Sequence, residues 1–446
     1  MVDMNAIIVA KIIGSKGGGG GGGSVTVDDE ISASSTNPVQ NRIIYSALNK
    51  KQNELTFDDI PTENSSNPVK SDGVYVNETL TRNMIATKEE GSGTHRTYGV
   101  QWNYGQSSTF LTRIEDAADF TDPAPATSYS GNGSSPFDNI APWKDMKRYN
   151  IIDGQVSYSE DDILYSETEY DSVVYIPEFY YFSKKDTATQ KWTWSISSEP
   201  IEGYIKHPGS GRYIGRFHTS GSSSAVFSKS GATPLTRDTR ANFRTYSHNK
   251  GSKWYQQDLA TWSAIQLLYL IEFANWNSQS MLGTGQVSGN LVNTGMTTGA
   301  KYHSIKIDNN SNMYRWVENP FSNLFTWTDG FTASNRKAYA TTDANSFVDV
   351  TSGMSDTGIT LPASQYITGL GYSDNYGWAF IPDSAGGGSS TTYISDYVDS
   401  NSSGVKVLYV GGSYVSADYF GMFYFSASGA ASGSGSTIGS RLIYIP

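Results

Sequence analysis

The chain has 446 residues, a formal net charge of -11 and no cysteine. The acidic balance argues against binding to nucleic acid or to an anionic membrane, because both need a basic surface. The lack of cysteine excludes a disulfide framework, a thiolate nucleophile and thiolate metal sites. Only 17% of the residues are charged whereas 13% are aromatic, a balance that is typical of a strand- and loop-rich extracellular or virion protein.

Residues 1–26 are interpreted as an attachment segment. They contain a short apolar stretch at 6–10 and seven consecutive glycines at 17–23. The apolar stretch is too short for a membrane span and lacks the basic flank of a signal peptide. The glycine run is either a flexible linker or a tightly packed polyglycine structure at an oligomer axis.

Residues 27–90 contain an internal repeat. The sequence Ser-Thr-Asn-Pro-Val at 35–39 recurs as Ser-Ser-Asn-Pro-Val at 65–69. Asn37 is suited to cap a helix and Pro38 to begin it. The predicted helix is too short to be stable alone, so its apolar face indicates packing against copies of itself in a trimeric stalk. The alternative is a small helix that docks on its own domain.

Short strand patterns follow the repeats. Residues 91–150 are predicted to be a connecting β-rich region, and residues 151–446 a large C-terminal domain. Within it, residues 192–196 alternate at period two, as in a strand. Residues 258–273 predict a helix with Asp258 as its cap, and this helix is apolar on nearly all sides, which indicates burial in the core. The predicted fold class is α+β, strand- and loop-rich.

The sequence has no clear catalytic or metal-binding pattern. The five histidines lack the spacing of metal ligands, and the acidic run at 160–162 is better explained as a solvated surface than as a cation site. There is no Gly-x-Ser-x-Gly turn, and no pair of carboxylates has a spacing that points to glycoside hydrolysis. We therefore expect no enzyme activity, no cofactor and no metal.

Three segments resemble a known fold, namely residues 314–330, 411–414 and 438–442. Their order resembles the Gly-Asn-Val-Trp-Glu-Trp, Gly-Gly-Ser-Trp and Gly-Phe-Arg-Leu signatures of the formylglycine-generating-enzyme type of C-type lectin fold, over roughly residues 150–446. The resemblance implies a C-type-lectin-like C-terminal domain after an elongated repeat or stalk region. It implies no oxidase chemistry, because the catalytic cysteines are absent, and residues 318–320 have the wrong order for the calcium-binding Glu-Pro-Asn pattern. The chain departs from the first signature at Ser322, Phe325 and Thr326.

The closer resemblance is to the variable proteins of diversity-generating retroelements, particularly phage tail tropism determinants. In that family a final segment alternates fixed scaffold with diversified positions, and residues 410–442 would be this segment. The implied variable, receptor-binding residues are Ser413, Tyr414, Ser416, Asp418, Tyr419, Tyr424, Ser426 and Ser428. The implied scaffold residues are Trp327, Gly411, Gly412, Gly421, Phe423, Gly439 and Arg441. The resemblance implies that the variable residues share one exposed face, which residues 370–378 also line. The alternative is an ordinary loop and strand end rich in glycine and serine.

These features together predict a phage tail fibre or tail-tip adhesin, located on the virion. The expected partners are a host-cell surface receptor, either protein or glycan, and other phage tail proteins, which residues 1–26 would contact. We expect a homotrimer that binds no nucleic acid and inserts into no membrane. The alternatives are a tail-associated polysaccharide depolymerase and a purely structural tail protein.

Overall fold

The structure is a computed structural model that describes residues 96–416 and 420–446. The predictions for residues 1–26 and 27–90, and for Asp418 and Tyr419, lie outside the described residues. The helices are α1 (Arg240–Lys250), α2 (Leu259–Phe273) and α3 (Ser278–Leu282), with short 3-10 helices at Trp143–Asp145 and Ala344–Ser346. None of the helices in the described ranges has both the length and the apolarity needed to cross a membrane.

Strands dominate the described part of the chain, which confirms the predicted strand-rich character. They are β1 (Tyr98–Asn103), β2 (Thr112–Glu115), β3 (Arg148–Ile152), β4 (Gln155–Ser159), β5 (Asp171–Ile176), β6 (Tyr180–Asp186), β7 (Lys191–Ser197), β8 (Ile205–Lys206), β9 (Arg212–Gly215), β10 (Ser220–Ser222), β11 (Ala225–Phe227), β12 (Trp254–Gln256), β13 (Met313–Tyr314), β14 (Val317–Glu318), β15 (Phe325–Ser334), β16 (Lys337–Ala340), β17 (Ser355–Thr360), β18 (Gln365–Leu370), β19 (Pro382–Ala385), β20 (Tyr397–Ser400), β21 (Val405–Val410), β22 (Phe425–Gly429), β23 (Ile438–Gly439) and β24 (Leu442–Tyr444).

Most of these strands form three sheets. The five-stranded sheet has the order β2-β1-β7-β6-β8, and the six-stranded sheet has the order β12-β24-β9-β5-β3-β4. The nine-stranded sheet has the order β17-β16-β15-β21-β22-β20-β18-β19, with β23 paired to β15. Because β1 is hydrogen-bonded to β7, the five-stranded sheet contains residues from both sides of the boundary expected at residue 150. The predicted strand at 192–196 lies within β7.

Helix α2 is the buried helix that the sequence predicted. The Asp258 carboxylate accepts a hydrogen bond of 2.6 Å from the Thr261 backbone N–H, so Asp258 is the cap. Every residue of the helix is buried, because an apolar surface on all sides has to be covered by other elements. The helix ends at Ala274, which adopts a left-handed conformation. The Trp143 indole donates a 3.1 Å hydrogen bond to the Leu268 carbonyl oxygen and packs the helix against the chain before β3.

Replacing Asp258 with alanine is expected to lower the free energy of unfolding by about 2 kcal/mol, measured by urea denaturation. The change removes the cap and also the 3.0 Å hydrogen bond from Arg212 Nη1 to Asp258 Oδ2. Asp258→Asn retains an oxygen for capping and loses the charge, so we expect it to lower the free energy by about 1 kcal/mol. Equal stability of Asp258→Ala and the natural protein would contradict the capping role.

Candidate functional site

An open pocket lies on the nine-stranded sheet, beside β18, β20 and the start of β22. Its volume is about 420 Å³, within the range of roughly 300–1,000 Å³ that is usual for small-molecule sites. We call it the tyrosine pocket, and its lining residues are Ser364, Tyr366, Tyr397, Asp399, Phe420 and Tyr424. The lining therefore combines four aromatic rings with one carboxylate.

The first wall of the tyrosine pocket comes from the pairing of β18 with β20. Tyr366 and Tyr397 are directly opposite each other in this antiparallel pair, so both side chains lie on the same face of the sheet. Their ring centroids are 5.6 Å apart, and the ring planes meet at 78°. Asp399 follows Tyr397 by two residues in β20, and the period of a strand places it on this face as well.

The second wall comes from the segment before β22. The Phe420 and Tyr424 ring centroids are 4.5 Å apart, with an interplanar angle of 65°. Phe325 lies behind both rings, with centroid distances of 5.3 Å to Phe420 and 5.6 Å to Tyr424. Burial raises the pKa of the Tyr424 phenol well above its ordinary value, and the Tyr409 and Asp399 groups raise it further. The ring therefore stays neutral at physiological pH.

Two serine hydroxyls fix the Asp399 carboxylate in the pocket. Ser364 Oγ donates a 2.8 Å hydrogen bond to Oδ1, and Ser428 Oγ donates a 2.7 Å hydrogen bond to Oδ2. Ser428 Oγ is in turn 3.1 Å from Ser426 Oγ and 3.3 Å from the Tyr409 hydroxyl. In residues 96–416 and 420–446, no lysine, arginine or histidine forms an ion pair with Asp399. The carboxylate is thus oriented without being neutralised.

A buried clamp holds the backbone of the second wall. Asp396 is 2% exposed, and its side-chain oxygens accept hydrogen bonds from the Gly421 N–H at 2.8 Å and the Phe423 N–H at 2.7 Å. Ser278 Oγ accepts a 2.8 Å hydrogen bond from the Met422 N–H. Two glutamine side chains from α2 and α3 complete the clamp: Gln266 donates to the Met422 carbonyl oxygen and Gln279 to the Phe420 carbonyl oxygen. The wall is therefore fixed before any ligand arrives.

Gly421 makes this clamp possible. A Cβ atom at this position would lie 2.5 Å from Ser278 Oγ and 2.6 Å from Asp396 Oδ1. Both distances are too short for a carbon atom, so any side chain would push the backbone away from the two acceptors. The close approach of the two buried side chains therefore requires glycine.

The described variable residues do not share one exposed face, and this expectation was wrong for three of them. Ser413 and Ser426 are fully buried and Tyr424 is 3% exposed. Ser426 lies opposite Tyr409 in the β21–β22 pair, so the two side chains are on the same face of the sheet. Tyr414, Ser416 and Ser428 are half-buried. The structure brings Tyr424, Ser426 and Ser428 together around Asp399, but Ser413, Tyr414 and Ser416 do not line the tyrosine pocket.

The seven residues predicted as scaffold all lie in the interior: Trp327, Gly411, Gly412, Gly421, Phe423, Gly439 and Arg441. Arg441 is the most highly bonded of them. Its Nη1 donates to the carbonyl oxygens of Gly215 and Arg216, and its Nη2 donates to those of Glu318 and Asn319, over distances of 2.8 to 3.1 Å. This single side chain therefore connects the end of β9 to β14 and the turn after it.

Most of the tyrosine pocket was missed by the sequence analysis, which did not single out Ser364, Tyr366, Tyr397, Asp399 or Phe420. The period-two spacing of Tyr397 and Asp399 was the available signal. Residues 370–378, which were expected to line the binding face, lie elsewhere. The Tyr372 ring packs against Trp192 at 5.8 Å, and Lys185 Nζ donates a 2.6 Å hydrogen bond to the Leu370 carbonyl oxygen.

A second polar cluster has the residue types of a hydrolase triad. Ser304 Oγ is 2.9 Å from His303 Nδ1, and His303 Nε2 is 2.7 Å from Asp138 Oδ1. However, Ser304 is 2% exposed and its Oγ already accepts a hydrogen bond from the Arg315 N–H. Burial lowers the pKa of His303. Because a nucleophile has to reach its substrate, this arrangement fits a structural hydrogen-bond cluster.

Two residues of the acidic run at 160–162 form ion pairs, one of them largely buried and the other exposed. Glu160 pairs with Arg148 at 2.6 Å and Asp161 with Lys147 at 2.7 Å. Across the described ranges, no three histidine, aspartate or glutamate side chains are grouped so that they could hold a metal ion.

Comparison with known proteins gave only weak structural similarity. No protein-family model matches the chain, and no curated protein matches it. The solved structure of a Major Tropism Determinant P3c variant is 12% identical, and the match covers 79% of this chain and 72% of that chain with a TM-score of 0.27. A TM-score this low does not establish a common fold.

Proposed function

We propose that this protein is a virion tail adhesin that binds a host-cell surface receptor through the tyrosine pocket. The proposal includes a C-type-lectin-like domain, attachment to other tail proteins through residues 1–26, and a homotrimer whose copies add avidity. It rests on one observation above all, which is an open pocket of four aromatic rings and a fixed carboxylate on a rigid sheet.

The chemistry of the pocket supports recognition. Tyrosine rings supply a large contact area at a low cost in conformational entropy. The clamp around Gly421 and the hydrogen bonds to Asp399 fix the lining before binding, and such pre-organisation increases affinity because less freedom is lost on association.

The same pocket is a poor match to the rival function of polysaccharide cleavage. Most glycoside hydrolases use two carboxyl groups about 5–10 Å apart. Among the described residues that line the pocket, Asp399 is the single acidic side chain. We therefore propose binding without catalysis, and an assay for reducing ends released from purified host polysaccharide tests the rival directly.

The pocket also supports a role for the C-terminal segment in changing specificity. Phe420 and Tyr424 form one wall, and Ser428 orients the carboxylate. Substitutions at Tyr424 or Ser428 would alter the shape or charge geometry of the pocket while Tyr366 and Tyr397 retain the opposite wall. A diversified segment would therefore change the ligand without rebuilding the whole site.

Replacing both Tyr366 and Tyr397 with alanine is expected to weaken binding to host cells roughly 30-fold, because the loss of an aromatic anchor costs about 2 kcal/mol. The measurement is competition: purified full-length protein is incubated with cells that the virus infects, and the concentration that halves virus adsorption is determined. Tyr158→Ala is the matched control, since Tyr158 lies on β4 of the six-stranded sheet. Unchanged competition by the double variant would rule out the pocket as the receptor site.

A further inference from the structure

The one formal charge in the described lining of the tyrosine pocket is negative, on the Asp399 carboxylate. The faces of its aromatic rings carry partial negative charge and their edges partial positive charge. No lysine, arginine or histidine is present among the described residues that line it. The chain as a whole is also acidic, with a formal net charge of -11. An anionic ligand would therefore be repelled from this site, and a cationic one attracted.

Asp399 differs from those buried carboxylates of the fold that are held in ion pairs. Glu272 is paired with Arg315, and Asp329 with Arg244. Asp399 accepts only neutral hydroxyl donors in the described structure. Each of its oxygens has further acceptor capacity. The uncompensated charge is at the pocket, where a ligand can reach it.

Resting on the proposed function, we infer that the tyrosine pocket binds a positively charged organic group of the receptor, either a protonated amine or a quaternary ammonium. Tyr366, Tyr397 and Phe420 are half-buried residues in the lining of the pocket, and aromatic rings close to a bound cation add cation–π attraction. Asp399 supplies the counter-charge, and for a protonated amine it also accepts a hydrogen bond. A neutral sugar would use the rings and the hydroxyl acceptors but would gain nothing from the net charge.

The test is calorimetric titration of the purified full-length protein with choline and with butylammonium. Each probe is compared with its neutral carbon isostere, in which carbon replaces the charged nitrogen. We expect at least one cation to bind about tenfold more tightly than its isostere. Added sodium chloride should weaken binding of the cation and leave binding of the isostere unchanged. Preference for choline indicates a quaternary ammonium, and preference for butylammonium indicates an amine.

Two variants separate charge from shape. Asp399→Asn should reduce the affinity for the cation about tenfold and leave the affinity for the isostere unchanged. Asp161→Asn is the control, because it makes the same change of net charge on an exposed loop. It should change neither affinity. Tyr366→Leu retains an apolar side chain but has no aromatic ring. It should therefore also weaken binding of the cation more than binding of the isostere. Thermal unfolding of each variant identifies any loss of folding.

Equal affinity for cation and isostere, or no binding of either cation, would overturn the inference. If glucose bound instead and the Tyr366 and Tyr397 double variant still lost cell binding, the cation inference would fail while the adhesin proposal stood. If the double variant kept cell binding although choline or butylammonium bound in the pocket, the adhesin role of the pocket would be refuted and the cation inference would stand.

Discussion

Replacing Arg441 with alanine is expected to lower the free energy of unfolding by about 4 kcal/mol. The Arg441 side chain is fully buried and donates hydrogen bonds to four backbone carbonyl oxygens. Removing it takes a donor from each of these buried acceptors, although the Arg216 oxygen keeps its hydrogen bond from the Glu318 N–H. Each buried group left unpaired costs about 1–3 kcal/mol. Guanidinium denaturation, followed by tryptophan fluorescence, measures the change.

Arg441→Lys provides a graded comparison. An ammonium group is a compact charge with three donors and cannot reproduce the planar fork that reaches two pairs of carbonyl oxygens. We expect it to recover less than half of the lost stability. Arg237→Ala is the control for loss of an arginine, because Arg237 is exposed. This control should change the free energy of unfolding by less than about 0.5 kcal/mol. Similar stabilities of Arg441→Ala and Arg237→Ala would refute the structural role of Arg441.

Asp396→Asn is expected to become more stable relative to the natural protein as the pH rises. Burial raises the pKa of Asp396 from 3.8 to about 8, although hydrogen bonds from Phe423 and Gly421 oppose this rise. A carboxyl group whose pKa is raised by folding favours the folded state at low pH, and this contribution is lost as the pH rises to the folded pKa. Between pH about 4 and 8, the natural protein should lose up to about 1.4 kcal/mol per pH unit relative to the variant.

The measurement is the difference in free energy of unfolding between the two proteins at pH 5, 6 and 7, so that groups common to both cancel. Asp349→Asn is the control. Burial alone would raise the pKa of Asp349, yet the Arg240 and Arg244 guanidinium groups hold it below its ordinary value. The stabilising contribution of Asp349 is therefore lost only as the pH falls below about 4. The difference in free energy of unfolding between the natural protein and Asp349→Asn should not change between pH 5 and 7. A flat difference in the free energy of unfolding for Asp396→Asn between pH 5 and 7 would show that the backbone donors outweigh burial.

The clearest sequence prediction concerned helix α2, and the reason is local. Its apolar residues on all sides and the aspartate before them depend on neighbours within a few turns, so a single segment contains the information. The tyrosine pocket is different, because Tyr366, Tyr397 and Tyr424 come together only through the pairing of β18 with β20 and of β20 with β22. That pairing order is a property of the whole sheet.

The exposure of the serines was mispredicted for a related reason. Ser426 alternates with the apolar Phe425 and Ala427, which is the pattern of a strand with one solvated face. Strand β22 lies inside the nine-stranded sheet, between β21 and β20, where Ser426 faces its cross-strand neighbour Tyr409 and is fully buried. Alternation in the sequence shows that two faces differ, but neighbouring strands decide whether the polar face meets water.

The position of β24 between β12 and β9 determines how this domain reaches its folded state. Arg441, just before β24, bonds to Gly215 across 226 residues of chain, so the centre of the six-stranded sheet is completed by one of the most distant contacts in the sequence. Closing so long a loop costs entropy before the contacts compensate for it, and folds dominated by such contacts form slowly. If these contacts form only after the barrier to folding, they slow unfolding more than they speed folding. This arrangement favours a domain that, once assembled, opens rarely.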